Sequence, residues 1–144
     1  MKAFVPGFEL DDDAARIDAD AAWAFLSSEA YWARWRTRSD FDRQLASSWR
    51  TVGAYTVGAG PERMVGFARA VSDGVALAYL ADVYVLEEAR GHGLGAGLVR
   101  LMVEEGPGAH FRWMLHTRDA HGLYERFGFA PPGAGLLERS ARLG

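Results

Sequence analysis

The residues of this chain that most clearly suggest chemistry form a glycine-rich loop, Arg90-Gly91-His92-Gly93-Leu94-Gly95. The loop follows an apolar, β-rich run from Leu80 to Leu86 and precedes apolar residues at helical spacing. Glycines adopt backbone conformations that other residues resist, and they let a ligand approach without an intervening Cβ atom. A helix start also leaves unpaired N–H groups that favour an anion. The sequence therefore predicts a strand, a loop and a helix start that together bind a pyrophosphate.

The same loop also satisfies the dinucleotide-binding pattern Gly-x-Gly-x-x-Gly/Ala, from Gly91 to Ala96. That pattern normally lies in a tight turn directly after its strand, whereas Glu87-Glu88-Ala89 intervene here. Too little chain follows to complete a doubly wound sheet. A Walker phosphate loop is excluded because no Gly-Lys-Ser/Thr follows the glycines. A dinucleotide site is therefore the less favoured alternative.

Two further side chains could take part in proton transfer. Asp82 lies within the apolar run and is predicted to face with Leu80 and Tyr84, where an acid is uncommon unless it has a partner or a task. A general base, a structural ion pair and a carboxylate that binds a substrate ammonium would each explain it. Tyr124 lies on the apolar face of a predicted helix, where spacing alone favours packing.

The elements that must position these residues follow from periodicity and turn signals. A first strand is predicted at Phe8 to Asp11, a helix from Asp18 or Asp20 to Ser28, and a second helix capped by Ser39 or Asp40. Strands predicted at 50–57, 64–71 and 75–86 form an antiparallel meander, and the helix 95–105 crosses over to a parallel central strand at 111–117. A helix with Asp119 as N-cap then ends at Gly128, and 136–139 could form a last strand.

Composition narrows the protein class. A chain of 144 residues, 49% hydrophobic and 24% charged, is expected to fold as one domain, residues 1–144. It has no apolar run long enough to span a bilayer, no signal-peptide pattern and no cysteine, so we expect a cytoplasmic protein with no membrane partner and no metal site. The net charge of −3 argues against nucleic acid as a partner.

The glycine-rich loop resembles motif A of the GNAT superfamily of N-acetyltransferases, Arg/Gln-x-x-Gly-x-Gly/Ala, which Arg90, Gly93 and Gly95 fill. The segment from Thr117 to Phe129, TRDAHGLYERFGF, is similar to one found in small bacterial acetyltransferases. The resemblance covers about residues 50–130. It implies an α/β GNAT fold with a mixed sheet, in which an antiparallel meander precedes a parallel β-α-β unit whose central strands splay apart.

The resemblance also implies acetyl-CoA as cosubstrate. The backbone groups of Val83 and Val85 would then hold the pantetheine arm. The loop and helix start would hold the pyrophosphate, through Arg90, Gly91, His92, Gly93, Leu94, Gly95 and Ala96. Asp119 could contact CoA, although a plain N-cap is favoured. Tyr124 stands where the superfamily often places a tyrosine that protonates the CoA sulfur.

Acetyl transfer to an amine also requires a base, because a primary alkylamine titrates near 10.4 and is charged at neutral pH. Asp82 is the preferred base, with Glu87, His116 and His121 as alternatives, and a backbone N–H near Val85 could stabilise the oxyanion. The segment from Tyr31 to Trp35 could form a wall of the acceptor pocket. The predicted function is acetyl transfer to a small-molecule amine, by a protein that could form a homodimer. The alternatives are a non-catalytic acyl-CoA-binding domain and a dinucleotide oxidoreductase.

Overall fold

The computed structural model of the protein describes residues 1–30 and 35–142. Its six strands form one sheet in the order β1-β2-β3-β4-β5-β6. Every neighbouring pair is antiparallel except β5 and β6, which are parallel. The strands are β1 (Lys2–Val5), β2 (Phe8–Asp11), β3 (Arg50–Thr56), β4 (Met64–Ser72), β5 (Leu77–Val85) and β6 (Arg112–Leu115). The predicted meander and parallel unit are thus confirmed, and a doubly wound sheet is excluded.

Four α-helices lie in the described residues beside this sheet. They are α1 (Ala19–Ser28), α2 (Arg38–Ala46), α3 (Leu94–Val99), which continues as a π-helix over Arg100–Glu104, and α4 (His121–Glu125). Short 3-10 turns cover Ala14–Arg16 and Glu87–Ala89. Within the described parts of the chain, no helix has the length and apolar character needed to cross a membrane.

Two hydrophobic clusters fix the helices on opposite faces of the sheet. The first packs α3 and the π-helix that continues it against the sheet through Leu98, Leu101 and Met102, which are fully buried. The second packs α1 and α2 through Phe25, Leu26, Phe41, Phe67 and Tyr84, and the rings of Phe25 and Tyr84 stack with centroids 4.1 Å apart. The sheet is therefore covered by helices on both faces.

Strand β5 contains an irregularity that decides where its side chains point. Arg69 of β4 pairs with Asp82, but Ala70 pairs with Leu80, so Ala81 is an extra residue in β5. A bulge of this kind shifts the alternation of side chains. Leu80 therefore packs in the first cluster while Tyr84 packs in the second. The prediction that Asp82 faces with Leu80 is wrong for this reason.

Several element ends differ from those predicted. Strand β1 was not predicted, and it makes Phe8–Asp11 the second strand through a turn at Gly7, whose φ is +87°. Thr37, not Ser39 or Asp40, caps α2; Asp40 instead accepts a hydrogen bond from the Thr37 N–H in a capping box. No strand forms at 136–139 in the described region, so β6 is an edge strand and not a central one.

The C-terminal end of the π-helix is held by a buried arginine. Nη1 of Arg50, on β3, donates to the carbonyl oxygens of Leu101, Met102 and Glu105 at 2.7, 2.9 and 3.0 Å. Nη2 of Arg50 lies 2.9 Å from Asp12 Oδ2, which compensates its charge. These bonds satisfy carbonyls that a helix end leaves free.

Candidate active site

A cleft of about 470 Å³ opens where β5 and β6 separate. The two strands pair only from Leu77 with Arg112 to Leu80 with Leu115, although β5 continues to Val85. The described residues that line the cleft are Trp35, Arg36, Gln44, Arg69, Tyr79, Leu80, Ala81, Asp82, Val83, Leu115, His116, Thr117, Asp119, Ala120 and Tyr124. The predicted splay of the strands is therefore present. Of the predicted site residues, Asp82, Val83, Asp119 and Tyr124 line the cleft.

One side of the site, here named the backbone wall, consists of Val83, Val85 and residues 90–95. Leu86 donates its N–H to Val65 O on the β4 side of β5. Because backbone groups alternate along a strand, the N–H and C=O of Val83 and Val85 point to the other side, into the gap beyond β6. The Val85 carbonyl accepts a hydrogen bond from Arg90 Nε at 3.1 Å, which brings the loop to the end of the gap.

The loop has the backbone geometry that a bound pyrophosphate would need. Gly91 and Gly93 have φ of +83° and +80°, and a Cβ atom at either would meet nothing within 4 Å. No side chain caps α3, and its first helical bond runs from Gly97 N to Gly93 O. The amides of Leu94, Gly95 and Ala96 precede that bond, so the helix does not use them. These open amides beside an open surface fit a phosphate group.

Side chains contribute little to this loop. The Leu94 side chain is buried in the first cluster, so only its amide can reach a ligand. His92 donates from Nδ1 to Ala89 O at 3.1 Å and packs edge-on against the Phe8 ring, so it orders the loop. Arg90 is exposed and is the charged residue at the loop entrance.

The opposite side of the cleft, here named the charged wall, consists of Arg36, Arg69, Tyr79 and Asp82. Asp82 is 3% exposed and accepts from Arg36 Nη1 and Nη2 at 2.9 and 3.0 Å and from Arg69 Nε at 2.5 Å. Burial raises the pKa of Asp82, but the hydrogen bonds from Arg36 and the charges of Arg69 and Arg36 outweigh burial and hold it below its ordinary value. A carboxylate held in this way is a poor proton acceptor. The geometry therefore favours the ion pair among the three interpretations of Asp82.

A different set of groups forms a hydrogen-bonded relay that starts in the cleft. The Tyr79 hydroxyl lies 2.5 Å from His116 Nδ1, and His116 Nε2 contacts the Glu138 carboxylate. These three side chains come from β5, from the residue after β6 and from the C-terminal segment. Burial raises the pKa of Tyr79, and the charges of Glu138 and Asp82 add to this effect. Among the alternative bases, His116 lies in this cleft, whereas Glu87 and His121 line other depressions.

Sequence reasoning did not identify Tyr79, Arg36, Arg69 or Glu138 as site residues. They come from β5, the segment before α2, β4 and the C-terminal segment, and only the fold brings them together. The one signal for these residues in the sequence was Asp82 itself, because a buried carboxylate requires charged or hydrogen-bonding partners. Of the predicted aromatic wall, Trp35 lines the cleft and is 54% exposed, while 31–34 lie outside the described residues.

Tyr124 and Asp119 lie on the far side of the gap from the charged wall. Tyr124 lines the cleft from α4, and its hydroxyl makes no hydrogen bond with any of the residues described. Burial raises its pKa and so keeps its proton in place, and the charge of Asp119 adds to this effect. The N-cap prediction for Asp119 is wrong: Ala120 occupies that position, and the Ala120 N–H donates to Thr117 Oγ1 at 3.1 Å. Asp119 is therefore exposed at the cleft.

In the described residues, no group of three or more His, Asp or Glu could hold a metal ion.

Comparison with known proteins identifies the family. Residues 17–129 match the Acetyltransferase (GNAT) family. A Gibberella zeae protein provisionally named an acetyltransferase is 34% identical over 113 residues, which are 77% of this chain and 60% of that protein's length.

Solved structures agree with this match. A crystal structure of a provisionally assigned GNAT-family acetyltransferase from Xanthomonas campestris pv. campestris is 34% identical, with a TM-score of 0.83 over 96% of each chain. A provisionally assigned acetyltransferase from Deinococcus radiodurans R1, 24% identical, shares the fold with a TM-score of 0.66 over 95% of this chain and 92% of that chain. The chain belongs to the GNAT family of acetyltransferases.

Proposed function

We propose that the protein transfers the acetyl group of acetyl-CoA directly to an amine, with the cosubstrate on the backbone wall and the amine at the charged wall. The observation that carries this proposal is the gap between β5 and β6. It leaves the backbone groups of Val83 and the N–H of Val85 unpaired by β6 and ends at a loop with open amides. Val83 and Val85 would hold the pantetheine arm as an added strand would, and residues 90–96 would hold the pyrophosphate.

Acetyl-CoA supplies an activated acetyl group, and the side chains of this chain handle the protons. Tyr79 would accept a proton from the amine while it passes its own to His116, and Glu138 would stabilise the resulting imidazolium. Tyr124 would give its proton to the leaving sulfur, since its hydroxyl is not engaged by the described residues. A C–N bond forms and a C–S bond breaks. The proton of the amine ends on His116 and the proton of Tyr124 ends on the thiol, and exchange with water then removes the first and restores the second.

Thermal unfolding with ligands tests the donor site. Acetyl-CoA, CoA, NAD and NADP are added separately in large excess, because a ligand that binds only the folded state at 100 times its dissociation constant adds about 2.7 kcal/mol. We expect acetyl-CoA and CoA to raise the midpoint. A rise with NAD alone would contradict the proposal. Binding of acetyl-CoA without turnover of any amine would instead favour a non-catalytic acyl-CoA-binding domain.

The acceptor class, a homodimer, a cytoplasmic location and the absence of a nucleic-acid partner remain predictions. Size-exclusion chromatography with light scattering tests the dimer. The edge strand β6 would be one place for a twin subunit to pair, because exposed sheet edges are usually protected.

A further inference from the structure

The charged wall holds more positive charge than a structural ion pair needs. Arg36 alone engages both oxygens of Asp82, at 2.9 and 3.0 Å, in the paired geometry typical of arginine and carboxylate. Arg69 approaches the same carboxylate as a second cation, through Nε only. Two guanidinium groups thus share one carboxylate at the floor of the cleft.

The second guanidinium has unused donors. Arg69 is 5% exposed, and its terminal nitrogens, Nη1 and Nη2, make no hydrogen bond with any described residue, although the side chain lines the cleft. Arg36 Nε is likewise buried without a hydrogen-bond partner in the described structure. Buried donors are nearly always paired, so the buried Nε of Arg36 and the unused terminal nitrogens of Arg69 beside the cleft point to a missing anion.

The chemistry of the missing anion follows from the shape of the donors. The fork of an arginine matches the two oxygens of a carboxylate better than a single charge does. Asp119, the other acid lining the cleft, lies across the gap on the loop before α4, so it does not neutralise this wall. A ligand with an anion near Arg69 and an ammonium near Tyr79 would match both sets of groups.

We propose that the acceptor is an amine that also carries a carboxylate, and that the free terminal nitrogens of Arg69 hold this carboxylate. This inference rests on the acetyltransferase function proposed above. It separates small amino acids from the N-termini of peptides, since the first residue of a peptide has an amide in place of its carboxylate.

The first test compares matched acceptors with the unmodified enzyme. Release of CoA is measured for amino acids of increasing chain length, for their amides and for the corresponding aminophosphonates. We expect kcat/KM to be about tenfold to a hundredfold higher for at least one amino acid than for its amide, because a charge-assisted pair to a buried arginine is lost in the amide. Equal rates for acid and amide, or faster turnover of the phosphonate, would overturn the inference while leaving acetyl transfer in place.

A second test uses Arg69→Lys, which keeps the charge beside Asp82 but removes the fork. KM for the preferred amino acid should rise about tenfold, and KM for its amide should stay unchanged, an asymmetry that a purely structural role would not produce. Arg112→Lys, at an exposed position on β6, is the matched control and should change neither value. The acetyl-CoA-induced rise in unfolding midpoint is followed in every variant. Its absence in the unmodified enzyme would overturn the donor site and this inference together.

Discussion

The backbone wall of the cleft consists of main-chain groups, whereas the charged wall consists of side chains. The backbone wall uses amides and carbonyls of consecutive residues, from Val83 to Gly95, in which side chains matter little. The charged wall uses side chains from distant parts of the chain: Arg36 lies 46 residues from Asp82, to which it binds. The difference shows that one half of a site can be a local property of the sequence while the other half depends wholly on the fold.

The largest effect is expected at Tyr124, between the two walls. Tyr124→Phe keeps the ring and its edge-on contact with Phe129 but removes the proton proposed for the leaving thiolate. We expect kcat to fall about 10²- to 10⁴-fold, with the acetyl-CoA dissociation constant unchanged. Single-turnover kinetics and calorimetric titration measure the two quantities.

A matched control for Tyr124→Phe is available in the second cluster. Tyr55 is 2% exposed, and its hydroxyl has no hydrogen-bond partner in the described structure. Burial raises the pKa of Tyr55 to about 12, so this hydroxyl stays protonated. Tyr55→Phe should leave kcat unchanged and should stabilise the fold slightly, because a buried unpaired hydroxyl costs free energy. Equal loss of activity in both variants would contradict the role of Tyr124.

Substitutions in the charged wall should lower the free energy of unfolding more than substitutions in the backbone wall. Asp82→Asn leaves Arg36 and Arg69 without their shared negative charge, and we expect the free energy of unfolding to fall by about 3–5 kcal/mol. Urea denaturation at neutral pH measures this difference. A deficit below about 1 kcal/mol, the range typical of surface pairs, would mean that the buried ion pair does little for the fold.

The same variant gives a pH dependence with a defined sign. Folding lowers the pKa of Asp82, so its carboxylate stabilises the fold above the ordinary value of 3.8, and the contribution is lost as pH falls through the lower folded-state pKa. The stability gap between the unmodified protein and Asp82→Asn should therefore be constant near neutrality and should narrow below about pH 4. A gap that widens in acid would contradict the direction of this shift.

The proton chain from Tyr79 is expected to have a smaller effect, because water can replace part of it. Tyr79→Phe removes the hydroxyl that contacts His116 Nδ1, and we expect kcat/KM for the amine to fall about 10²-fold. Glu138→Gln should lower it less, since the residue lies one step further from the amine. Unchanged rates over the whole pH range in both variants would leave the proton transfer to another group.

Substitutions in the backbone wall should change the free energy of unfolding least and should mainly weaken the binding of acetyl-CoA. Gly93→Ala forces a Cβ into a left-handed conformation, at φ +80°, and should cost about 1–2 kcal/mol. Gly122→Ala, at an ordinary helical φ with open space around it, should stabilise the fold by about 0.5–1 kcal/mol. Thermal unfolding of both variants, with and without acetyl-CoA, measures stability and binding together.

The backbone wall and most of the strands could be predicted because their signals are local. Arg90, Gly93 and Gly95 stand in one short pattern, and the meander follows from turn residues between alternating runs. Strand β1 was missed because four residues before a tight turn carry a weak signal. Asp82 was noticed, but its partners and its face were not predicted, because no periodicity reveals that Arg36 and Arg69 converge on it or that Ala81 shifts the register. Contacts between distant segments arise only when the sheet forms.

The extra residue at Ala81 has a consequence for how this protein's sequence could change in evolution. Everything in β5 after it is displaced by one position relative to a regular strand. Deletion of Ala81 would turn Asp82 and Tyr84 toward α3 and would turn Val83 and Val85 toward the buried arginines. Substitutions along this half of the strand alter one contact at a time, whereas a change in its length would exchange the two faces at once. We therefore expect natural variation here to replace residues more often than it adds or removes one.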